Sequence, residues 1–302
     1  MNLFNKLAGE CSRATTRLYS TSFYAGVSLL HVSIRQHVFN IYGFARFADE
    51  IVDTFHGFDR AKLLEEFKKE TFSAIDRGIC LNPILNSFQE TVNTFSMDHK
   101  LIHAFFESME SDLKRCDHDA SSLQKYVYGS AEVVGLMCLT VFTAGNRAQF
   151  DALKSSASAL GSAFQKINFL RDIRYDQSID RDYLGNILKE DAKALIEKEV
   201  TDELSHAFEG IMKLPANSRL GVLVAYRYFL ALFKRIKRAT PQTLLTKRIR
   251  VPNNVKYAIL IKTLIGQVVL GSDVLTRRLN DKHRVKNIEQ LEENRYALLK
   301  RR

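Results

Sequence analysis

The stretches Ala48-Asp49-Glu50-Ile51-Val52-Asp53 and Leu170-Arg171-Asp172-Ile173-Arg174-Tyr175-Asp176 each carry two aspartates four residues apart, and each lies within apolar sequence. In an α-helix, a step of four residues turns about 400° and rises about 6 Å, so the members of each pair share one face. Carboxylates are costly to bury without a partner. We call these pairs the first aspartate motif (Asp49 and Asp53) and the second aspartate motif (Asp172 and Asp176). Together they predict a shared cation that bridges to a diphosphate.

The first aspartate motif lies in a segment that is apolar nearly all round. Its polar face has the spacing 4, 3, 4 and consists of Tyr42, Arg46, Asp49 and Asp53. The remaining positions of the segment are apolar: Ile41, Phe44, Ala45, Phe47, Ala48, Ile51 and Val52. Such a helix is typical of the interior of a larger helical protein.

The second aspartate motif repeats this arrangement with the spacing 3, 4, 4 over Gln165, Asn168, Asp172 and Asp176. Carboxylate and amide oxygens suit hard cations, and Mg²⁺ usually binds through one or two carboxylates together with substrate phosphates. Arg171 and Arg174 flank these acids, and arginine holds phosphate oxygens in its fork. The segment therefore predicts a magnesium and phosphate site.

An alternative interpretation is that the acids form structural ion pairs with Arg46, Arg171 and Arg174. Two motifs with matched spacing argue against this interpretation, as does the charge balance. Each motif has at least as many acids as bases, since Arg46 faces Asp49, Glu50 and Asp53.

The composition favours a single all-α domain over residues 1–302. The chain is 46% hydrophobic, with only 4 Pro and 14 Gly, and long periodic segments alternate with short breaks. The four cysteines show no CxxC spacing, and we expect reduced thiols in a cytoplasmic protein. No secretory signal is visible, and the apolar segments Leu220–Phe233 and Val255–Leu275 are interrupted by charged residues, so neither predicts a membrane span.

The net charge of +10 arises partly from four basic clusters: Lys234–Arg238, Lys247–Arg250, Arg277–Arg278 and Lys300–Arg302. No zinc-finger spacing or RNA-binding motif accompanies them, so we expect no nucleic-acid partner. An anionic membrane surface would attract such clusters equally well, and plain solvated surface is the simpler alternative. We expect peripheral attachment to the cytoplasmic membrane.

The chain resembles the squalene/phytoene synthase family of head-to-head prenyl transferases. Five motifs carry the resemblance, in the family's order and over roughly residues 15–275: Ser20-x-Ser22-Phe23, Tyr42-x-x-x-Arg46-x-x-Asp49-Glu50-x-x-Asp53, Tyr126-x-Tyr128-Gly129 with Val134-Gly135, Gln165-x-x-Asn168-x-x-Arg171-Asp172-x-x-x-Asp176, and Arg181-x-Tyr183-Leu184.

The resemblance implies an isoprenoid-synthase helical bundle around a central cavity. It also implies Mg²⁺-dependent condensation of two prenyl diphosphates through a cyclopropylcarbinyl diphosphate. The implied metal ligands are Asp49, Asp53, Asn168, Asp172 and Asp176. The implied diphosphate contacts are Ser20, Ser22, Arg46, Arg171 and Arg181. The implied catalytic residues are Tyr42, Arg46, Tyr128, Gln165, Arg171 and Tyr183.

The chain also departs from the family pattern. Tyr19 and Thr21 stand where the family often has a histidine and a basic residue, and Glu132 replaces a small residue. We expect a phytoene synthase that uses the C20 substrate in carotenoid synthesis. The alternatives are a squalene or dehydrosqualene synthase that uses farnesyl diphosphate, and a non-catalytic assembly factor. Retention of all four aspartates argues against the last of these.

Overall fold

The computed structural model describes residues 2–113, 120–178, 183 and 190–266 of the chain. Within these ranges the regular structure is entirely helical, which confirms the predicted all-α class. The twelve α-helices of residues 2–246 are α1 Asn2–Tyr19, α2 Thr21–Ser28, α3 Val32–Thr54, α4 Arg60–Arg77, α5 Pro83–Phe95, α6 His99–Asp112, α7 Ala120–Val127, α8 Val133–Phe142, α9 Arg147–Ser178, α10 Glu190–Lys213, α11 Ala216–Lys237 and α12 Pro241–Thr246. A π-helical turn, Tyr128–Glu132, joins α7 to α8.

Local sequence signals set several of the helix ends. The Asp59 side chain caps α4 by accepting a hydrogen bond of 3.1 Å from the backbone N–H of Lys62. Gly78 ends the same helix with a φ of 69°, in the left-handed region that favours glycine. Asn82 and Pro83 then begin α5 as a cap and a first-turn proline. These short connections keep α3 to α6 close together in sequence and in space.

A cluster of phenylalanines fixes the orientation of α3. The ring of Phe44 stacks on Phe88 of α5 with 3.8 Å between centroids, and Phe106 of α6 meets it edge-on at 5.6 Å. Tyr42 and Arg46 lie two residues to either side of Phe44, which places them about 200° away around the helix. The polar face of α3 therefore points away from this aromatic core.

The chain divides into two compact units, Met1–Lys256 and Tyr257–Arg302. Of the second unit, residues 257–266 are described, and they are helical. The expectation of one domain over residues 1–302 stays a prediction. No helix within the described ranges is long and apolar enough to cross a membrane, and the end of the segment Val255–Leu275 lies outside those ranges.

Candidate active site

A cavity of about 800 Å³ lies within the first unit, and both aspartate motifs face it. As the helical spacing predicts, the polar faces of α3 and α9 supply most of the charged and amide groups of its wall. These residues are Tyr42, Arg46, Asp49, Asp53, Gln165, Asn168, Arg171, Asp172 and Asp176. The structure thus brings together two segments that are more than a hundred residues apart in the chain.

The rest of the wall is mostly apolar. Phe164 of α9 stacks on Phe229 of α11 with 3.7 Å between centroids, and Phe23 of α2 stacks on Tyr42 at 5.0 Å. Further apolar lining comes from α2, α3, α6, α8, α10, α11 and the connection between α2 and α3, and includes Val27, Leu30, Val38, Phe105, Leu139, Phe142, Ile211 and Val222. A concave apolar site with a few convergent polar groups is typical of ligand binding.

The first aspartate motif is held by local contacts within α3. The guanidinium of Arg46 bonds to Asp49 through Nη1, and its Nη2 donates to Glu50 Oε2 at 2.6 Å. Tyr19 places its ring 4.2 Å from the Arg46 guanidinium carbon, in a cation–π contact. Tyr19 therefore contacts this site at a position where the chain departs from the family pattern.

The second aspartate motif uses one local arginine and one distant arginine. Arg171 donates from Nε to both carboxylate oxygens of Asp172 at 3.0 Å. Arg248, in the segment that follows α12, approaches Asp172 Oδ1 to 2.7 Å with its Nε and also lines the cavity. Arg174 instead donates to the backbone carbonyl of Thr246 at 2.9 Å, which ties the segment that carries Arg248 to α9.

The ion pairs considered as an alternative are therefore present at Arg46 and Arg171 and replaced by a backbone contact at Arg174. Sequence reasoning missed Arg248. Its signal was the basic cluster Lys247–Arg250, but helical spacing cannot relate a residue of that cluster to an acid in α9. Only the tertiary fold makes this connection.

Charged groups of both motifs influence the pKa of Tyr42. Burial raises its pKa to about 12, and Asp49 adds to the rise. Arg46, Ser20 and Arg171 oppose it, and Arg171 belongs to the other motif. At neutral pH this tyrosine therefore remains protonated and can donate a hydrogen bond into the cavity.

The donor set fits a hard cation that shares its ligands with a phosphate. Asn168 offers a side-chain oxygen, Oδ1, that is buried without a hydrogen-bond partner, and Asn168 lines the same cavity as the four aspartates. A buried polar atom without a partner is costly and points to a missing ligand. Among the residues that the structure describes, no three His, Cys, Asp or Glu side chains form a metal cage on their own. Mg²⁺ usually binds through one or two carboxylates together with substrate phosphates, so the oxygens of this wall fit such an ion.

The other predicted site residues have different locations. Ser20 and Tyr183 line the cavity, and Ser20 also caps α2 by accepting a hydrogen bond of 3.3 Å from the backbone N–H of Phe23. Ser22 is partly buried and is not among the lining residues. Arg181 lies outside the described residues.

The expectation that Tyr128 faces the reacting centre differs from the structure. Tyr128 is 40% exposed and does not line the cavity, whereas Tyr126 is buried and does. Two residues along a helix are about 200° apart, so both tyrosines cannot share one face. The spacing Tyr126-x-Tyr128 indicates that the two tyrosines lie on different faces, but it does not indicate which of them faces the cavity.

Comparison with known proteins identifies the family of the chain. Residues 16–201 match the family model described as squalene/phytoene synthase. The chain is 30% identical over 170 residues to the presqualene diphosphate synthase of Rhodopseudomonas palustris, a match that covers 56% of this chain and 59% of that protein. It is also 30% identical over 185 residues to the phytoene synthase of Arthrospira platensis, covering 58% of this chain and 60% of that protein.

Among solved structures, a dehydrosqualene synthase bound to a ligand shares the fold with a TM-score of 0.76 at 18% identity, covering 89% of this chain and 98% of that one. A squalene synthase from Alicyclobacillus acidocaldarius gives a TM-score of 0.67 at 19% identity, with coverage of 78% and 94%. The matched stretches span about three fifths of the two curated relatives above. Because the family model matches more than half of the chain, this protein belongs to the squalene/phytoene synthase family.

Proposed function

We propose that this protein catalyses the Mg²⁺-dependent head-to-head condensation of two geranylgeranyl diphosphates to phytoene through prephytoene diphosphate, a cyclopropylcarbinyl diphosphate. The observation that carries the proposal is the convergence of two aspartate motifs on one cavity whose remaining wall is apolar. Diphosphates need the first feature, and long isoprenoid chains need the second. Family membership supports the same class of enzyme.

In this proposal, five residues would hold magnesium: Asp49, Asp53, Asn168, Asp172 and Asp176. Magnesium bound there would neutralise the departing diphosphate. Arg46, Arg171 and Arg248 would bind phosphate oxygens, because each already meets a carboxylate at the cavity wall and can exchange it for a phosphate. Ser20, Ser22 and Arg181 remain further predicted diphosphate contacts.

The remaining wall would protect the allylic cation that forms when diphosphate departs. Apolar helices exclude the water that would otherwise trap such a cation. The stacked rings of Phe164 and Phe229 offer faces that stabilise positive charge without reacting with it. Tyr42 would donate a hydrogen bond to a phosphate oxygen, since its pKa of about 12 keeps the hydroxyl protonated.

The principal alternative is a squalene or dehydrosqualene synthase that uses farnesyl diphosphate. The named relatives include both a presqualene diphosphate synthase and a phytoene synthase, each at 30% identity. A non-catalytic assembly factor is a further alternative, and it would have no use for an unpartnered Asn168 oxygen among four aspartates.

Product analysis decides among these possibilities. The purified protein is incubated with Mg²⁺ and either the C15 or the C20 diphosphate, with and without NADPH. The proposal predicts phytoene from the C20 substrate, with no need for NADPH. Preferential formation of squalene or dehydrosqualene from the C15 substrate would establish the alternative enzyme. No hydrocarbon or cyclopropyl product from either substrate would establish the non-catalytic alternative.

We also propose that the protein is cytoplasmic and attaches peripherally to anionic membranes, which would receive the apolar product. Leu3, Leu7 and Leu18 lie on one face of α1 and are 82%, 57% and 77% exposed. With a net charge of +10, such a face suits an anionic lipid surface, where each well-placed Lys or Arg contributes roughly 1 kcal/mol.

Co-sedimentation with liposomes should increase with anionic lipid and decrease with salt. Equal binding to neutral and anionic vesicles would contradict the electrostatic part.

A further inference from the structure

A partly buried acid, Asp112, lies behind the aromatic wall of the cavity. Asp112, the last residue of α6, accepts hydrogen bonds from the hydroxyls of Tyr126 at 2.8 Å and Tyr183 at 3.0 Å, one on each carboxylate oxygen. The two hydroxyl oxygens are 3.4 Å apart. Both tyrosines line the cavity, whereas Asp112 does not. The carboxylate therefore reaches the cavity through the two phenols.

The rings of these tyrosines form one stack with Phe169 of α9. Phe169 and Tyr183 are 4.5 Å apart between centroids, Tyr126 and Tyr183 are 5.1 Å apart, and Tyr126 and Phe169 are 6.1 Å apart. Phe169 lies directly after Asn168, whose unpartnered oxygen belongs to the second aspartate face. The stack thus adjoins the predicted metal ligands along α9.

The hydroxyls of Tyr126 and Tyr183 both donate their hydrogen bonds to the Asp112 carboxylate. Each phenol has one proton, and each donates it to Asp112, so the two oxygens present only lone pairs to other neighbours. Burial raises the pKa of Tyr126 well above its usual value, and the charge of Asp112 adds to the rise. The Tyr126 phenol therefore keeps its proton at neutral pH and remains a donor to Asp112.

The π-helical turn also packs on α6 through contacts that do not involve this carboxylate. A Cβ at Gly129 would lie 2.0 Å from Ser108 Oγ and 2.5 Å from the backbone oxygen of Ala104, so glycine allows the π-helical turn to pack directly on α6. Ser108 Oγ also donates to the backbone carbonyl of Tyr126 at 3.3 Å. These contacts, one turn earlier on the same helix, hold the backbone of Tyr126 against α6 independently of the hydrogen bond to its hydroxyl.

We propose, on the basis of the function proposed above, that Asp112 is a positioning residue for the condensation. It fixes the hydroxyls of Tyr126 and Tyr183 so that their lone pairs, backed by its own negative charge, stabilise the allylic cation in the cavity. Preorganised dipoles of this kind act most strongly where water is excluded, because they need no reorganisation as charge develops.

The test is a cycle of isosteric variants: Asp112→Asn, the double variant Tyr126→Phe/Tyr183→Phe, and the triple variant that combines them. In the wild type, each carboxylate oxygen of Asp112 accepts from one phenol. Asparagine has only one side-chain oxygen, so its NH2 group would face the other phenol and could not accept its proton. We expect Asp112→Asn to lower kcat on the order of 10- to 100-fold, with little change in KM, because the charge acts in the transition state. In the background that lacks both hydroxyls, the same change should have little further effect.

The matched control is Glu110→Gln, two residues earlier on α6, whose carboxylate is exposed and pairs with Lys68 at 2.7 Å. It should leave kcat and KM unchanged. Wild-type kcat in Asp112→Asn, or losses that add fully in the triple variant, would overturn the positioning role while the condensation itself stands. If Asp112→Asn does not fold, an unchanged kcat in the Tyr126→Phe/Tyr183→Phe variant overturns it equally. Absence of turnover in the wild type would overturn the proposed function as well.

Discussion

Asp49 of α3 and Asp172 of α9 face the same cavity, but their surroundings differ. The Asp49 side chain is 37% exposed, and its arginine, Arg46, comes from the preceding turn of the same helix. The Asp172 side chain is 18% exposed, and it meets Arg248 from a segment 76 positions further along the chain as well as its neighbour Arg171. The arginine of the first motif thus comes from its own helix, whereas the second motif also pairs with an arginine from a distant segment.

This difference predicts unequal roles. Electrostatic interactions strengthen as water is excluded, so a charge on the less exposed Asp172 has the larger influence on a diphosphate. Solvent screens Asp49 more, and Arg46 is shared with Glu50. We therefore expect the second motif to dominate catalysis and the first to contribute less per charge.

The largest effect should follow from Asp172→Asn. The substitution keeps the shape of the side chain but removes the charge nearest to both Arg171 and Arg248. We expect turnover of a prenyl diphosphate to fall on the order of 10²-fold or more, as for the loss of one electrostatic stabiliser. Asp151→Asn is the matched control, because Asp151 lies on the same helix but is exposed and pairs with Arg147 at 3.0 Å. Similar losses in the two variants would contradict the site assignment.

A smaller loss, roughly tenfold to a hundredfold in turnover, is expected for Asp49→Asn. Its control is the adjacent Glu50→Gln. Glu50 bonds to the same arginine but does not line the cavity, so steady-state kinetics should show at most a severalfold change. The comparison between the motifs would be reversed if Asp49→Asn proved more damaging than Asp172→Asn.

The smallest of these effects is expected for Arg248→Gln. Its side chain is 53% exposed, so the contact with Asp172 is partly screened. We expect kcat/KM for the diphosphate substrate to fall about tenfold, by loss of one phosphate contact. Arg250→Gln removes the same charge from the same basic cluster, two residues away, without touching the cavity. Equal effects of the two variants would show that only net charge matters there.

The comparison also explains how far the sequence was informative. Periodicity predicted the helical class and placed Tyr42, Arg46, Asp49 and Asp53 on one face, because these relations are local. It could not predict that Arg248 reaches α9 or that Asp112 joins Tyr126 and Tyr183, because both contacts depend on how distant helices pack. The Tyr128 prediction differed from the structure for the same reason: a helix repeat separates two faces but does not indicate which one meets the cavity.

The most direct test of the account is turnover of the C20 diphosphate with magnesium, after addition of excess chelator, and after magnesium is restored. The two aspartate motifs and the Asn168 oxygen face one cavity, and Mg²⁺ usually binds through carboxylates together with substrate phosphates, so cation and diphosphate should bind together. We predict that product formation stops in chelator and returns with added Mg²⁺. Full turnover in excess chelator would contradict the central claim that the aspartates act through a metal ion.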